Sequence, residues 1–459
     1  MPKKKTALTI EERLQQALVP AEEQPYEVPE NWVWTYISSG FDVTSSKRVH
    51  KSDWLSEGIP FYRTRELVKL SEQGYVDNEL FISEDLYKTF KKEFGVPQKN
   101  DLLISGVGTI GVPYVISDEK EFYFKDGNVI WLKNKGVFDA SYMYYLYKTV
   151  FIDNQIHSMS AGTTVDTYTI INAKNTIIPL PPLSEQQRIV ERIEELFAEL
   201  DEAKERLQEV ADSFAVRKAA ILHKAFTGEL TKQWRRENGV SDESWEDVSL
   251  DSVCKSIYDG DHMPPPKSET GIPFLVISNV NTGFISFEKC RFVPEEYYDG
   301  LSETRTPEIG DILYTIVGSY GIPVMVDTDK KFCFQRHMAL LKPKDIYNRF
   351  LWCQLQTQSF FEQATSIATG TAQLTVPIKG LRKLIVKCPT LSEQHEIVRL
   401  IDDLLARERS AQQATEQALA SIDLMKKSIL ARAFRGELGT NKASEASALE
   451  LLQQVLAEN

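Results

Sequence analysis

One segment of this 459-residue chain occurs twice, and the repeat limits the fold more than any other feature. Residues 183–230 begin with Leu-Ser-Glu-Gln and end with Ala-Phe-Thr-Gly-Glu-Leu. Residues 391–438 begin with the same four letters and end with Ala-Phe-Arg-Gly-Glu-Leu. Without a gap, 19 of the 48 aligned positions are identical. A different globular segment precedes each copy, so the sequence predicts two halves related by a pseudo-twofold internal repeat.

The two copies are predicted to be long helices that pair as an antiparallel coiled coil. Apolar residues recur in alternating steps of four and three, the spacing of a heptad seam. A helix of 40 residues is about 60 Å long, whereas one turn of B-DNA is about 34 Å. Antiparallel pairing would place the two globular segments at opposite ends of the helices. The predicted seam positions are Ile189, Ile193, Leu196, Leu200, Ala203, Leu207, Val210 and Phe214, then Ile397, Ile401, Leu404, Ala411, Ala418, Ile422, Met425 and Ile429, with Glu408 and Thr415 as polar interruptions.

The fold class is predicted as α+β, with two mixed α/β globular domains separated by the two helices. Short aromatic and β-branched runs with frequent Gly and Pro indicate many short strands. Landmarks recur in both segments, such as Gly-Ile-Pro-Phe at 58–61 and 271–274. The predicted divisions are an N-terminal helical arm over 1–27, the first globular domain over 28–182, the first helix over 183–242, the second globular domain over 243–390, the second helix over 391–438 and a C-terminal helical tail over 439–459.

Composition describes a soluble globular protein without a membrane span or a signal peptide. Hydrophobic residues make up 42% of the chain, and no run of about 18 apolar residues occurs. The five cysteines form no CxxC pair, which predicts reduced thiols and a cytoplasmic location. A net charge of −13 does not favour nucleic acid, because phosphate attracts positive potential. Any DNA binding by the chain alone is therefore expected to be weak and sensitive to salt.

No motif predicts catalysis or a metal site. Residues 106–111 match GxGxxG, but a strand-like sequence follows, whereas a dinucleotide site needs a helix there. We therefore expect a tight turn between strands. Walker A, HExxH and GxSxG sequences are missing, as is the Asn/Asp-Pro-Pro-aromatic motif of amino-group methylation. The six histidines lie far apart, and none falls in a Cys/His cluster with metal spacing.

Polar side chains near the predicted turns are the candidates for nucleic-acid contact. Arginine pairs with guanine and asparagine with adenine, while hydroxyl groups suit phosphates and base edges. The alternative, a solvated charged face or a polar turn, stays open for each of them. The candidates are Lys47, Arg48, Arg63, Arg65, Thr109, Thr163, Thr164 and Tyr168 in the first globular segment, and His262, Lys267, Asn279, Asn281, Ser319, Tyr320, Thr371 and Gln373 in the second.

The repeated pattern resembles the specificity subunit of type I restriction–modification systems. The resemblance rests on Pro-Leu-Ser-Glu-Gln at 182–186, the long helix that follows and the closing Ala-Phe-x-Gly-Glu-Leu. This pattern is repeated about 200 residues later, except that Thr390 replaces the proline in the second copy. Asn31-Trp32 and Trp245 fit the tryptophan that starts each half of that family. The resemblance implies that each globular segment is a target recognition domain for one half of a bipartite, asymmetric sequence in double-stranded DNA. It also implies that the helices set the spacing and dock two methylation subunits, which restriction subunits join. S-adenosylmethionine, ATP and magnesium would belong to those partners, and this chain would bind no cofactor.

Two other classes of function remain open from the residues alone. The acidic balance slightly favours a non-catalytic scaffold whose two heads bind proteins. A self-contained nuclease or methyltransferase is disfavoured by the missing motifs.

Overall fold

The computed structural model describes residues 9–160, 166–262 and 265–458, and it forms two compact units. Unit 1 is built from Met1–Arg206 and Ala418–Asn459, and unit 2 from Leu207–Gln417. Each unit contains one globular head and one segment from each of two long helices. We call the globular parts head 1 and head 2.

Head 1 is a mixed α/β domain with three small sheets. A four-stranded sheet has the order β2-β8-β5-β6, a three-stranded sheet has the order β4-β3-β7, and β1 pairs with β9. The strands are β1 Val33–Tyr36, β2 Phe41–Thr44, β3 Ile59–Tyr62, β4 Phe81–Ile82, β5 Leu102–Ser105, β6 Pro113–Val115, β7 Tyr123–Phe124, β8 Val129–Asn134 and β9 Ile177–Leu180. The helices are α1 Ile10–Ala17, α2 Ile37–Gly40, α3 Thr64–Gln73, α4 Glu84–Glu93, α5 Ala140–Tyr147, α6 Val150–Ser160 and α7 Ile170–Asn175, followed by the long helix α8 Leu183–Phe226.

Head 2 repeats this topology strand for strand. Its sheets have the orders β11-β17-β14-β15 and β13-β12-β16, and β10 pairs with β18. The strands are β10 Glu246–Ser249, β11 Cys254–Asp259, β12 Ile272–Leu275, β13 Arg291–Val293, β14 Ile312–Thr315, β15 Pro323–Met325, β16 Cys333–Phe334, β17 Met338–Pro343 and β18 Ile385–Cys388. The helices are α9 Lys232–Asn238, α10 Glu295–Asp299, α11 Asn348–Leu355, α12 Gln358–Ile367 and α13 Ile378–Leu381, followed by the long helix α14 Leu391–Ala433 and by α15 Ala448–Glu458. The predicted internal repeat and mixed α/β heads are confirmed.

The central strands of each four-stranded sheet are apolar on both faces because both faces are covered. Alternate residues of a strand point to opposite faces. In β5, Leu102 and Ile104 enter the main core beneath the helices, whereas Leu103 enters a second core against the three-stranded sheet. In β14, Ile312 and Leu313 divide between two cores in the same way. This double burial fixes the register of the sheet, because a shift by one residue would exchange the two cores.

The glycine-rich motif of head 1 is a turn between antiparallel strands, as the sequence predicted. It joins β5 to β6, and Gly108 and Gly111 have φ values of 81° and 79°, a left-handed conformation that favours glycine. The equivalent turn of head 2 joins β14 to β15, with Gly318 at φ 72°.

The long helices run antiparallel within each unit. In unit 1, Asp201 of α8 pairs with Lys426 of α14 at 2.5 Å. In unit 2, Arg217 of α8 pairs with Glu408 of α14 at 2.9 Å, so the acidic interruption that the sequence places in the seam has a cationic partner on the other helix. Thr415, the second interruption, is buried.

The predicted seam positions divide into two groups. Val210 and Met425 are 40% and 50% exposed, so assigning them to the seam was wrong. Ala203 and Ala411 are exposed as well, so their assignment was also wrong. The other side chains are buried or half-buried, but the seam is not only a contact between helices. Ile189 and Ile193 also enter the core of head 1, and Ile397 and Ile401 enter the core of head 2. The buried ones are Ile189, Ile193, Phe214, Ile397, Ile401 and Ile422, and the half-buried ones include Leu196, Leu200, Leu207 and Leu404.

The helical arm and tail that the sequence predicts near residues 10 and 450 pack together in unit 1. Helix α1 contacts α15, and Arg13 donates a hydrogen bond to the carbonyl of Leu456 at 3.2 Å. Ala448 and Leu452 of α15 are fully buried in the core of head 1. Unit 1 is therefore completed by a segment that follows its head by more than 200 residues.

Candidate nucleic-acid interface

One edge of each four-stranded sheet gathers the loops that carry most of the predicted contact residues. In head 2, β11 ends at Asp259 and β14 ends at Thr315, whereas the antiparallel β17 begins at Met338. The loops after β11 and β14 therefore lie beside the turn that precedes β17. Thr375 forms a bridge with Val317 and brings the segment after α12 to the same edge. The predicted residues His262, Ser319, Tyr320, Thr371 and Gln373 stand on these loops.

A cleft of about 430 Å³ opens at this edge of head 2, and we call it the edge cleft. Its polar lining includes His262, Arg336, His337, Gln373 and Thr375. The ring Nε2 of His262 lies 3.0 Å from the Asp259 carboxylate. Burial and the neighbouring Arg336 lower the pKa of His337 below its ordinary value, which favours the neutral imidazole. The edge cleft thus offers one guanidinium and one carboxylate, together with two imidazole rings, the Gln373 amide and the Thr375 hydroxyl.

Sequence reasoning missed Arg336 and His337. They occupy the three-residue turn between β16 and β17, directly after the Phe-Cys-Phe landmark that recurs in both halves. A comparison of the two copies at that landmark could have found them, because head 1 has Lys125, Asp126, Gly127 and Asn128 between the equivalent strands.

Ser319 and Tyr320, at the tip of the β14–β15 turn, differ in whether other side chains hold them in place. Ser319 is exposed. The Tyr320 ring stacks on Phe361 with centroids 5.5 Å apart, and its hydroxyl bonds to Thr365 at 3.1 Å. Tyr320 is thus held in place, whereas Ser319 is the accessible polar group of this turn.

The corresponding edge of head 1 carries Lys47, Arg48 and Thr109, all of which are exposed. Arg48 pairs with Asp126 at 3.0 Å, and the ammonium of Lys47 lies 5.1 Å from the ring centre of Phe94. The cationic groups at this edge are therefore engaged by an acid or an aromatic ring.

Arg63 and Arg65 lie beside this edge and form ion pairs with Glu66 and Glu79. Arg63 bonds to Glu66 at 2.7 Å, and Arg65 bonds to Glu79 at 2.7 Å and to Glu66 at 3.0 Å. Burial of Glu66 acts to raise its pKa, but the hydrogen bonds from Arg63 outweigh it and lower the pKa to about 2. Both arginines thus have acidic partners in the structure, and their contact with DNA stays a prediction.

Two predicted contact residues belong to the interior, and their assignment was wrong. Tyr168 is 1% exposed, and its hydroxyl is shared with Tyr147 and Thr176. Asn279 is 5% exposed, and its amide accepts from the backbone of Val276 and donates to the carbonyl of Glu288. Their polar groups are satisfied inside the head, so neither side chain is available to a base.

The remaining predicted residues divide by what the structure describes. Lys267 and Asn281 are exposed on loops of head 2. Thr163 and Thr164 lie outside the described residues. No predicted contact residue therefore has an established role from its position alone.

The buried carboxylates of the repeated Leu-Ser-Glu-Gln motif fasten each head to its helices. In unit 1, Glu185 accepts from the Trp32 indole at 2.8 Å and from the Asn441 amide at 2.9 Å. In unit 2, one oxygen of Glu393 accepts from Trp245 at 3.1 Å, from Arg235 at 2.7 Å and from Thr231 at 2.7 Å. Each glutamate therefore joins the tryptophan at the start of a head to the segment that follows the other long helix. We call these sites the Glu185 clamp and the Glu393 clamp.

The glutamine of the same motif holds the far side of each head. Gln186 accepts from the backbone of Asp139 at 2.7 Å, just before α5, and Gln394 accepts from the backbone of Tyr347 at 2.8 Å, just before α11. The motif is thus a structural junction. It explains the repeated sequence without any catalytic role.

Comparison with known proteins agrees with this two-headed arrangement. A family model described as the type I restriction modification DNA specificity domain matches residues 29–211 and again residues 242–419. The chain belongs to this family. It is a DNA sequence-specificity subunit, and such subunits recognise DNA without themselves being catalysts.

Named relatives cover most of the chain. The type I restriction enzyme EcoBI specificity subunit of Escherichia coli is 25% identical over 445 residues, which span 92% of this chain and 90% of that one. The EcoKI specificity subunit of E. coli strain K12 is 27% identical and spans 70% of this chain and 72% of that one.

Solved structures share the fold. The HsdS subunit from Thermoanaerobacter tengcongensis has a TM-score of 0.63 at 19% identity, covering 90% of this chain and 99% of that one. A chain from a type I restriction–modification complex has a TM-score of 0.60 at 19% identity, covering 90% of this chain and all of that one. None of the helices in the described ranges is long and apolar enough to span a membrane.

Proposed function

We propose that each head of this specificity subunit reads one half of an asymmetric, bipartite sequence in double-stranded DNA. The supporting observation is that two heads of identical strand order present different side chains on the same loop-bearing edge. Head 1 has Lys47, Arg48 and Thr109 there, whereas head 2 has an open cleft with Arg336 and Gln373. One scaffold with two different surfaces suits two different half-sites.

We further propose that α8 and α14 set the distance between the half-sites and dock two methylation subunits. Each helix contributes one segment to unit 1 and another to unit 2. Exposed apolar side chains lie along both helices, among them Val216 at 70% and Leu424 at 67%. Such groups away from a core suit a protein partner.

The division of labour completes the proposal. S-adenosylmethionine would belong to the methylation subunits, and ATP and magnesium to the restriction subunits of the full complex. This chain would work in the cytoplasm and bind no cofactor of its own. Its net charge of −13 supports a complex in which the partners supply part of the contact with phosphate.

The first test is single-molecule mapping of methylated sites in a host that expresses the chain with its neighbouring methylation subunit. We expect one new gapped motif with two unlike halves. If the complex assembles but no motif is methylated, the recognition proposal fails, and a protein-binding scaffold becomes the better interpretation.

The spacing proposal has its own test. Inserting four residues after Asp201 together with four after Arg409 should lengthen the gap and leave both half-site sequences unchanged. If a half-site sequence changes while the gap stays the same, the helices do not set the distance. Purified complex run on a sizing column confirms that the longer variant still assembles.

A further inference from the structure

Arg336 is the cation of the edge cleft that is free to bind a ligand. Its side chain is exposed and makes no hydrogen bond or ion pair with any residue that the structure describes. Three other arginines of head 2 are engaged. Arg305 bonds to the Asp259 carbonyl, Arg349 pairs with Asp402, and Arg382 bonds to the Ile257 carbonyl.

The backbone around Arg336 is held on both sides. The amide of Gln335 donates to the carbonyl of Leu275 at 3.1 Å, and the carbonyl of His337 accepts from Ile316 at 2.9 Å. The amide of Met338 closes the turn on the carbonyl of Gln335 at 3.2 Å. A free side chain on a fixed turn loses little backbone entropy on binding, which is what a specific contact needs.

The surroundings of Arg336 suit a base edge better than a phosphate. Phosphate contacts are made largely by arginine and lysine. Among the described residues, no lysine lines the edge cleft, and the cleft contains the Asp259 carboxylate, which repels phosphate. Its other polar groups include the His337 ring, the Gln373 amide and the Thr375 hydroxyl. A guanidinium presents two parallel donors that match the O6 and N7 acceptors of guanine in the major groove.

The equivalent turn of head 1 has no arginine, and its one cation, Lys125, lies 3.5 Å from the Asp126 carboxylate. The strands that frame Arg336 in head 2 are separated in head 1 by residues 125–128, and Asp126 there already accepts from Arg48. A contact through this turn would therefore distinguish the two heads.

We propose that Arg336 is a specificity-determining residue, which reads a guanine in the half-site of head 2 through the major groove. The inference rests on the proposed function and names one base contact within it. A bidentate pair discriminates against other bases by about 1–3 kcal/mol, or about 5- to 150-fold.

The experiment compares Arg336→Ala and Arg336→Gln with the wild-type chain, each as a complex with the methylation subunit. Methylation mapping gives the motif, and competition by duplexes with single base changes gives the preference at each position. In Arg336→Ala, one guanine position of one half-site should fall from a preference of about 5- to 150-fold to below about 3-fold. The other half-site should not change. Arg336→Gln should move the same position toward adenine, because an amide matches adenine N6 and N7.

Lys344→Ala is the matched control. Lys344 follows β17, the strand that Arg336 precedes, and its exposed ammonium lies at the opposite end of that strand. This variant should keep the wild-type motif.

Two outcomes would overturn the proposal. If Arg336→Ala weakens binding equally for every duplex, Arg336 contacts the backbone and reads no base. If the preferences stay unchanged, it makes no contact with DNA. A wild-type complex without any bipartite motif would instead contradict the proposed function itself. The binding competition still reports on Arg336 if a variant loses methylation, provided that the complex assembles.

Discussion

The two clamps use the same glutamate of the same motif but neutralise it differently. Glu393 shares one oxygen with the guanidinium of Arg235, whose side chain is only 7% exposed. Glu185 receives neutral donors from Trp32 and Asn441, while the nearby Arg188 pairs with Glu445 instead. The repeat therefore preserves the position of a buried carboxylate and not its electrostatic environment. This difference predicts that equal substitutions at the two sites will have unequal effects.

The source of the donors differs as well. In unit 2 they come from Thr231 and Arg235, on the connection that leads directly from α8 into head 2. In unit 1 they come from Thr440 and Asn441, which lie far from Trp32 along the chain. In the Glu393 clamp, the donors and the tryptophan thus belong to one continuous segment of chain. In the Glu185 clamp, two segments that are distant in the sequence meet only through noncovalent contacts.

The largest expected effect comes from removing residues 440–459. This deletion takes away two donors to Glu185, the Glu445 partner of Arg188 and the buried residues of α15. Burial of Leu452 and Val455 alone contributes about 3–6 kcal/mol. We expect unit 1 to lose about 5 kcal/mol or more, while unit 2 keeps its protection in hydrogen exchange measured by mass spectrometry. Equal loss in both units would contradict their separate closure.

The next effect compares Glu393→Gln with Glu185→Gln. Removing one partner of a buried ion pair costs about 3–5 kcal/mol. Arg235 keeps Asp242 as a second partner at 2.8 Å, so we expect about 3 kcal/mol for Glu393→Gln. Glu185→Gln should stay within about 1 kcal/mol, because an amide can accept from Trp32 and donate to Thr440. Hydrogen exchange of each unit measures both variants, and equal losses would show that the clamps are equivalent.

A smaller contrast is expected from the tryptophans. Trp32→Phe removes the shorter indole bond from a site that is 4% exposed, and a hydrogen bond to a charged group contributes about 1.5–3 kcal/mol. Trp245→Phe removes a longer bond from a half-buried ring whose glutamate keeps Arg235. We expect about 2 kcal/mol for Trp32 and about 1 kcal/mol for Trp245. Chemical unfolding, monitored separately in each unit, measures both losses of stability. If Trp245→Phe costs more than Trp32→Phe, Arg235 does not stabilise its clamp.

The smallest effect is a dependence on pH that belongs to Glu185. Burial raises the pKa of this carboxyl above its ordinary value of 4.5. The folded state therefore holds the proton more tightly than the unfolded state. The resulting stability is complete below pH 4.5 and is lost as the pH rises through the raised pKa. Unit 1 of Glu185→Gln should lose less stability than wild type between pH 4 and pH 7, and parallel profiles would contradict this assignment.

Much of the fold could be predicted because the same sequence landmarks occur in both halves of the chain. The landmarks at residues 58–61 and 271–274 become β3 and β12, and the glycine motif becomes a turn because strands flank it. The long helices follow from their spacing of apolar residues. Their C-terminal ends were less predictable. The first helix was predicted over 183–242, but α8 ends at Phe226 and the separate helix α9 follows at Lys232–Asn238.

The candidate interface was less predictable because residue type does not report burial. Tyr168 and Asn279 have the polar groups of a DNA contact, but their partners lie inside the head. Arg336 was missed because its neighbours in the cleft, His262 and Gln373, are distant in the sequence and meet only through the order of the sheet. The Glu and Gln of the repeated motif suggested the start of a helix, and their partners likewise come from distant segments.

The composition of unit 1 has a consequence for synthesis on the ribosome. Unit 2 is drawn from the continuous range Leu207–Gln417 and can complete its core as soon as that range has emerged. Head 1 is translated earlier, but its core needs Ala448 and Leu452. At a translation rate of about 5–20 residues per second, head 1 waits roughly 10–50 s with part of its apolar surface uncovered. The head that is made first is the one that folds last.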